Sequence, residues 1–113
     1  MLHGLLQRPD ISYIGRGHIH AQLFELPGED YPAAIPDGHA YTQGELYRMD
    51  APATALPAID EAEGCAEGLF ERHLVSVWRE DGRQRAWTYF YKRSIENARA
   101  VSGGDYRTFA RAL

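Results

Sequence analysis

The stretch Leu69-Phe70-Glu71-Arg72-His73-Leu74-Val75-Ser76-Val77-Trp78-Arg79, followed by Glu80-Asp81-Gly82-Arg83 and then Gln84-Arg85-Ala86-Trp87-Thr88-Tyr89-Phe90-Tyr91-Lys92, reads as a β-hairpin. Alternation on both sides of a turn sequence is the period of strands with two different faces. Asp-Gly supplies the positive-φ chemistry that tight hairpin turns need. Centring the turn on Asp81-Gly82 sets Trp78 against Arg85, Ser76 against Trp87, Leu74 against Tyr89 and Arg72 against Tyr91. One face then carries Trp87, Tyr89 and Tyr91, with Phe70 at its far end, and cross-strand aromatic pairs contribute roughly 0.2–1 kcal/mol each. Such a face packs as a sheet or barrel core, where Trp87 is expected, whereas the hydroxyls of Tyr89 and Tyr91 need partners and suit a pocket wall.

Outward from the hairpin, eleven glycines and six prolines punctuate the chain, so its elements are short. Upstream, Ile19, Ala21 and Leu23 alternate with His18, His20 and Gln22, and residues 41–49 are also strand-like. Helical sequence is confined to 55–63, with Asp50-Ala51-Pro52 and Thr54 as capping residues before it and Gly64 stopping it. With Leu56 at zero on a wheel of about 100° per residue, Ile59 falls at about −60° and Glu63 at about −20°, while Glu61 points away at about 140°. Glu63 is therefore expected on the apolar side. A carboxylate there gains hydrogen-bond donors or has its pKa raised by lost hydration, and both are routes to a proton-transfer group near neutrality. The competing expectation is that the helix frays at Gly64 and Glu63 turns into water. Asp60, Glu61 and Glu67 read as plainly solvated charges.

The chain of 113 residues is enough for one core, and a single domain over 1–113 is expected. It is 44% hydrophobic and 25% charged, close to average globular usage, which argues against disorder, collagen and coiled coil. Twelve Lys and Arg against sixteen Asp and Glu give a net charge of −4, and no basic run is long enough to follow a phosphate backbone, so nucleic acid is not the expected partner. Cys65 is the single cysteine and can form neither an internal bridge nor a two-thiol redox motif, which fits a reducing cytoplasm. No apolar run approaches the roughly 18 residues that cross a bilayer, and the opening Met1-Leu2-His3-Gly4-Leu5-Leu6-Gln7-Arg8-Pro9 is too short and too soon polar for a signal peptide.

Four local chemistries can be weighed. His18-x-His20 would put two imidazoles on one strand face, yet no carboxylate or thiol sits at a spacing that completes a metal site, so no metal is expected. Cys65 and His73 invite a nucleophile reading, but no orienting Asn or Asp is identifiable and a lone thiol usually packs as a small apolar group. Gly15-Arg16-Gly17 lacks the third glycine and the following helix of a dinucleotide fingerprint. Neither a P-loop nor a Gly-x-Ser-x-Gly elbow occurs.

Five segments in order, Tyr31-Pro32-Ala33-Ala34-Ile35-Pro36, Gly44-Glu45-Leu46-Tyr47, Ile59-Asp60-Glu61-Ala62-Glu63-Gly64, Ala86-Trp87-Thr88-Tyr89 and Gly104-Asp105-Tyr106, resemble the gamma-glutamylcyclotransferase-like, or AIG2-like, family. The resemblance runs from about Gly15 to Tyr106 and is carried by the joint register, since each piece alone recurs by chance. It implies an α+β fold, a small mixed β-barrel with short flanking helices. It also implies a reaction in which the free α-amine of a γ-glutamyl group attacks its own γ-carbonyl, releasing an amine or amino acid and 5-oxoproline. The family's acid/base glutamate falls on Glu63, and Tyr89 and, more loosely, Tyr47 fall on the substrate pocket wall. The ligand is then a small γ-glutamyl or amino-acid-like molecule, with no cofactor and no membrane or nucleic-acid partner. Cleavage of γ-glutamylamine crosslinks and removal of γ-glutamyl protecting groups belong to the same fold, and the sequence does not choose among them. Oligomeric state is left open, and the loop over 26–37 is expected to shape the pocket.

One departure stands out. The family opens with a strand and Tyr-Gly-Ser/Thr-Leu, whose backbone amides would bind the substrate carboxylate or the developing oxyanion. Here Met1-Leu2-His3-Gly4-Leu5-Leu6 resembles the segment that follows that loop, so the usual first strand is expected to be lacking. Two explanations compete: a start assigned too far downstream, or a short form deprived of oxyanion donors. The second supports a different class of function, a non-catalytic small-molecule-binding or structural domain.

Overall fold

The computed structural model describes residues 8–101 and the backbone of a final strand, Asp105–Ala112. The opening segment Met1 to Leu6 and the side chains of Asp105 and Tyr106 lie outside the described residues. In chain order the elements are β1 (Ile11–Ile19), β2 (Ala21–Glu25), β3 (Pro32–Pro36), β4 (Thr42–Met49), α1 (Pro52–Ala62), β5 (Phe70–Arg79), β6 (Gly82–Tyr91), β7 (Arg99–Ala100) and β8 (Asp105–Ala112). The fold is mixed α+β, with antiparallel sheets and, among the described residues, one helix. That helix is too short to cross a membrane.

Two antiparallel ladders, β1 with β4 and β5 with β6, make up most of the larger sheet. β8 runs parallel to β4 and meets β6 at Trp87↔Ala112, while β5 returns to β1 at His18↔Trp78, so the order β1-β4-β8-β6-β5 comes back on itself. Among the described residues the β6–β8 and β1–β5 seams are each one pair wide. Gly17 makes the second seam feasible, because a Cβ there would stand 2.6 Å from Val77 Cγ1 and 3.0 Å from the Trp78 carbonyl oxygen. The smaller sheet has the order β3-β2-β7. Its β3 lies inside the 26–37 stretch expected as a loop: Pro32 to Pro36 pair with Ala21 to Glu25, and Ala33 and Ala34 are fully buried. Small side chains let this strand lie close on the core, a packing signal that the prolines obscure in the sequence.

The hairpin is present, in a register two residues from the expected one. Phe70 faces Tyr91, Arg72 faces Tyr89, Leu74 faces Trp87 and Trp78 faces Arg83. Only Glu80-Asp81 forms the loop, and Gly82 is already paired with Arg79 at φ 139°, so its positive φ is accommodated inside the ladder rather than at the turn centre. A shift of two leaves every side chain on its original face. β6 thus serves two apolar clusters. Ala86 and Phe90 pack inward with Ile19, Ala21, Leu23, Ala34, Leu46 and Val77. On the opposite face Tyr89 packs with Phe70, Ile11, Met49 and the helix residues Ala55 and Ile59, with Trp87, Tyr91 and Leu56 half-buried around them. Trp87 therefore belongs to the helix-covered face and not to the interior of the strand ring.

α1 begins three residues earlier than expected, with Pro52 in the first turn, where a missing N–H costs nothing, and Ala51 as an N-cap without a side-chain hydrogen bond. Its end is sharply defined. The Gly64 N–H reaches the Glu61 carbonyl at 3.1 Å and the Cys65 N–H reaches the Asp60 carbonyl at 3.1 Å, with Gly64 at φ 69°. This paired closure uses a left-handed glycine just past the cap.

Candidate active site

The last turn of α1 delivers Asp60 against the aromatic face of the hairpin. Tyr89 donates its phenol hydrogen to Asp60 Oδ1 at 2.6 Å, and Arg72 Nη1 stands 3.6 Å from Asp60 Oδ2. The Arg72 guanidinium lies over the Trp87 ring, 4.7 Å from its centroid. Because Arg72 and Tyr89 are cross-strand partners and Leu74 faces Trp87, the hairpin register itself assembles this group. Beside it opens a cavity of about 330 Å³ lined by Asp60, Cys65, Phe70, Glu71, Arg72 and Lys92. Burial pushes the Tyr89 phenol far above the ordinary tyrosine range, the Asp60 hydrogen bond and charge push it further, and Arg72 opposes them only in part. Tyr89 is held as a neutral hydrogen-bond donor. Cys65 is likewise raised, first by burial and then by the charges of Asp60 and Glu63, against the opposing Arg72. A thiol kept protonated is a poor nucleophile. His73 lies on the other face of β5, bound to Glu71 at 2.6 Å and against the Phe90 ring, so Cys65 and His73 do not form a pair.

The three residues singled out from the sequence are placed as follows. Glu63 is the C-cap of α1, its backbone N–H bonded to the Ile59 carbonyl at 2.9 Å, and its side chain is half-buried rather than turned out at a frayed end. Its charge acts on Cys65, which lines the cavity, but Glu63 is not itself among the lining residues. Tyr89 is buried in the helix-covered cluster and bonded to Asp60. Tyr47 is half-buried at the rim of the same cluster, where it donates to Glu45 Oε1 at 3.2 Å and meets the Tyr13 ring edge-on at 5.5 Å. The structure thus brings Tyr89 to the residue one turn before Glu63 and leaves Tyr47 facing β1.

Asp60 corrects the sequence reading, which took it as a solvated charge. It is half-buried and holds both Tyr89 and Arg72. The signal was in the wheel: Asp60 falls at about +40°, within the apolar arc that includes Glu63. Arg72 had no such signal, since a charge on a strand is ordinarily solvated and only the cross-strand register places it over Trp87.

Among the described residues no group of three or more His, Cys, Asp or Glu could hold a metal ion. His18 and His20 instead pack with Tyr41 and Trp78, His18 stacked on the indole at 5.9 Å and His20 edge-on at 4.6 Å. Gly15-Arg16-Gly17 lies inside β1, so these glycines do not form a loop ahead of a helix.

A family model described as gamma-glutamyl cyclotransferase, AIG2-like matches residues 2–108. No curated protein sequence matches. Among solved structures, the chain is similar to protein ytfP from Escherichia coli, with 22% identity, a TM-score of 0.61, and coverage of 94% of this chain and 86% of that one. A protein from Arabidopsis thaliana is 26% identical with a TM-score of 0.62, over 84% of this chain and 63% of that one. A structure titled gamma-glutamyl cyclotransferase is 13% identical with a TM-score of 0.59, over 88% of this chain and 60% of that one, a likeness of fold alone.

Proposed function

The chain belongs to the gamma-glutamyl cyclotransferase, AIG2-like family, and from that premise we propose that it cyclises a small γ-glutamyl amide or γ-glutamyl amino acid to 5-oxoproline, with Glu63 as general acid/base. The α-amine nitrogen attacks the γ-carbonyl carbon, a C–N bond closes the five-membered lactam, and the C–N bond to the leaving amine breaks. One proton passes from the attacking nitrogen to the leaving nitrogen, and Glu63 carries it. Attacking and attacked atoms belong to one molecule, so the proximity advantage is already in the substrate and the protein has chiefly to hold a bent conformer. In this reading one domain spans 1–113, its strand ring acts as the family's small barrel, Tyr89 and Tyr47 stand at the pocket wall, and the lone thiol suits the cytoplasm. The chemistry calls for no cofactor.

The observation that carries the proposal is the half-buried Glu63 at the end of α1, one turn after Asp60, which lines the cavity and accepts the Tyr89 hydrogen bond. The test is 5-oxoproline release from γ-glutamyl amines and dipeptides, measured with the protein alone and with a Tyr-Gly-Ser/Thr-Leu segment added upstream. Glu63→Gln is expected to lower release by at least 100-fold, within the roughly 10²–10⁴ that positioned acid/base groups contribute. Release that persists unchanged in Glu63→Gln removes Glu63 from the mechanism. A second reading, ligand binding without turnover, is favoured by the cavity wall, which includes Asp60 and not Glu63. It predicts ligand-induced thermal stabilisation with no 5-oxoproline from either form of the protein.

A further inference from the structure

We infer that Arg72 is the carboxylate-binding residue of this cavity, so that the ligand is an acid seated with a carboxylate against the guanidinium. The inference deepens the γ-glutamyl reading and rests on it for the identity of the ligand. Among the described residues the buried Arg72 Nη1 has no hydrogen-bond partner. Asp60 Oδ2, at 3.6 Å, is close enough to share charge with that nitrogen and too far to accept a hydrogen bond from it. Asp60 is not free to close the gap, because its other oxygen is held by the Tyr89 hydroxyl at 2.6 Å. The guanidinium plane is fixed in turn by the Trp87 ring, 4.7 Å below its central carbon. The guanidinium is thus held in place at the wall of a cavity of about 330 Å³, with the Arg72 side chain 28% exposed.

A guanidinium fork matches carboxylate and phosphate oxygens bidentately, and of the two a γ-glutamyl ligand carries the carboxylate. Net field does not explain the preference, since Asp60 and Glu71 balance Arg72 and Lys92 around the cavity. Nor does Lys92 offer the same seat: its ammonium is half-exposed and 3.9 Å from Glu71, which is also bound to His73. The hold between Trp87 and Asp60 singles out Arg72. Two carboxylates of a γ-glutamyl amino acid could fill the place, the α-carboxylate of the glutamyl group or that of the leaving amino acid.

The experiment measures binding by isothermal titration calorimetry with γ-glutamyl-alanine, its C-terminal amide, and its glutamyl α-amide, using the wild type, Arg72→Gln and Arg72→Lys. Release of 5-oxoproline is followed by NMR in the same samples. In the wild type, neutralising one of the two carboxylates is expected to weaken binding at least tenfold, and the amide that does so identifies the group Arg72 holds. In Arg72→Gln the acid and amide forms bind equally weakly, and Arg72→Lys keeps part of the preference. Far-UV circular dichroism establishes that the variants fold. Should Arg72→Gln fail to fold, the wild-type series and Arg72→Lys decide. The inference is overturned if both amides bind the wild type as tightly as the parent acid, or if the preference survives intact in Arg72→Gln. A carboxylate preference without 5-oxoproline release sinks the cyclisation and leaves Arg72 standing; release without the preference does the reverse.

Discussion

Tyr89 does two jobs, covering Ile59 and Phe70 in the apolar cluster and giving its hydroxyl hydrogen to Asp60. Tyr89→Phe keeps the ring and removes the hydrogen bond to a charged acceptor, for which a stability loss of about 1–3 kcal/mol is expected, read by urea denaturation at pH 7. The pH dependence has a definite sign. The folded state holds this phenol neutral well above the ordinary tyrosine value of about 10, so its contribution is complete below that value and declines as pH rises beyond it. The stability gap between wild type and Tyr89→Phe should therefore narrow by about 1.4 kcal/mol for each pH unit above about 10, measured by urea midpoints; a constant gap would contradict a neutral buried phenol. That a buried Tyr89 hydroxyl would need a partner was legible, but the partner was not. Asp60 was discounted as solvent-facing although its wheel position argued otherwise. Arg72 was beyond reach because its role depends on what lies opposite it on another strand.

At the scale of elements, α1 is held in place more by its exit than by its entry. Its first turn has no side-chain cap, whereas Gly64 closes the last turn and brings Leu69 back onto it through the Leu69 N–H to Gly64 carbonyl bond at 3.0 Å. A Cβ on Gly64 would meet Leu69 Cβ at 3.1 Å and impose a φ that L-residues avoid. Gly64→Ala is expected to cost roughly 1–2 kcal/mol, seen in thermal denaturation. It should also impair ligand binding, because Asp60 and Cys65 sit on either side of the closure. The helix stop was readable from Gly64 alone. The hairpin was readable as a hairpin from alternation and Asp-Gly, but its register was not, since a glycine that belongs to a ladder and one that belongs to a turn look alike in one dimension.

Across the whole molecule, the ring of strands depends on contacts between distant parts of the chain. β4 lies beside β8 and β1 meets β5, pairings that leave no local trace in composition or period, which is why the hairpin strands and the strand over 41–49 were legible, while the strand order, and β3 within an expected loop, were not. Gly17 is the test of that closure. Gly17→Ala forces a methyl against Val77 and the Trp78 carbonyl, and a loss of about 1–3 kcal/mol is expected from the overpacking, measured by chemical denaturation. The same substitution should leave the helix-side cluster intact, so intrinsic fluorescence of Trp87 is expected to change less than that of Trp78.

β6 carries the helix-side packing and the interior filling on alternate residues, Tyr89 for one and Phe90 for the other. A single-residue insertion or deletion within it would exchange the two sets wholesale, sending the phenol inward and the benzyl group to the helix-covered face. Length changes along this segment are therefore tolerable only in even steps, a constraint on libraries and on divergence alike that substitution scanning alone would never reveal.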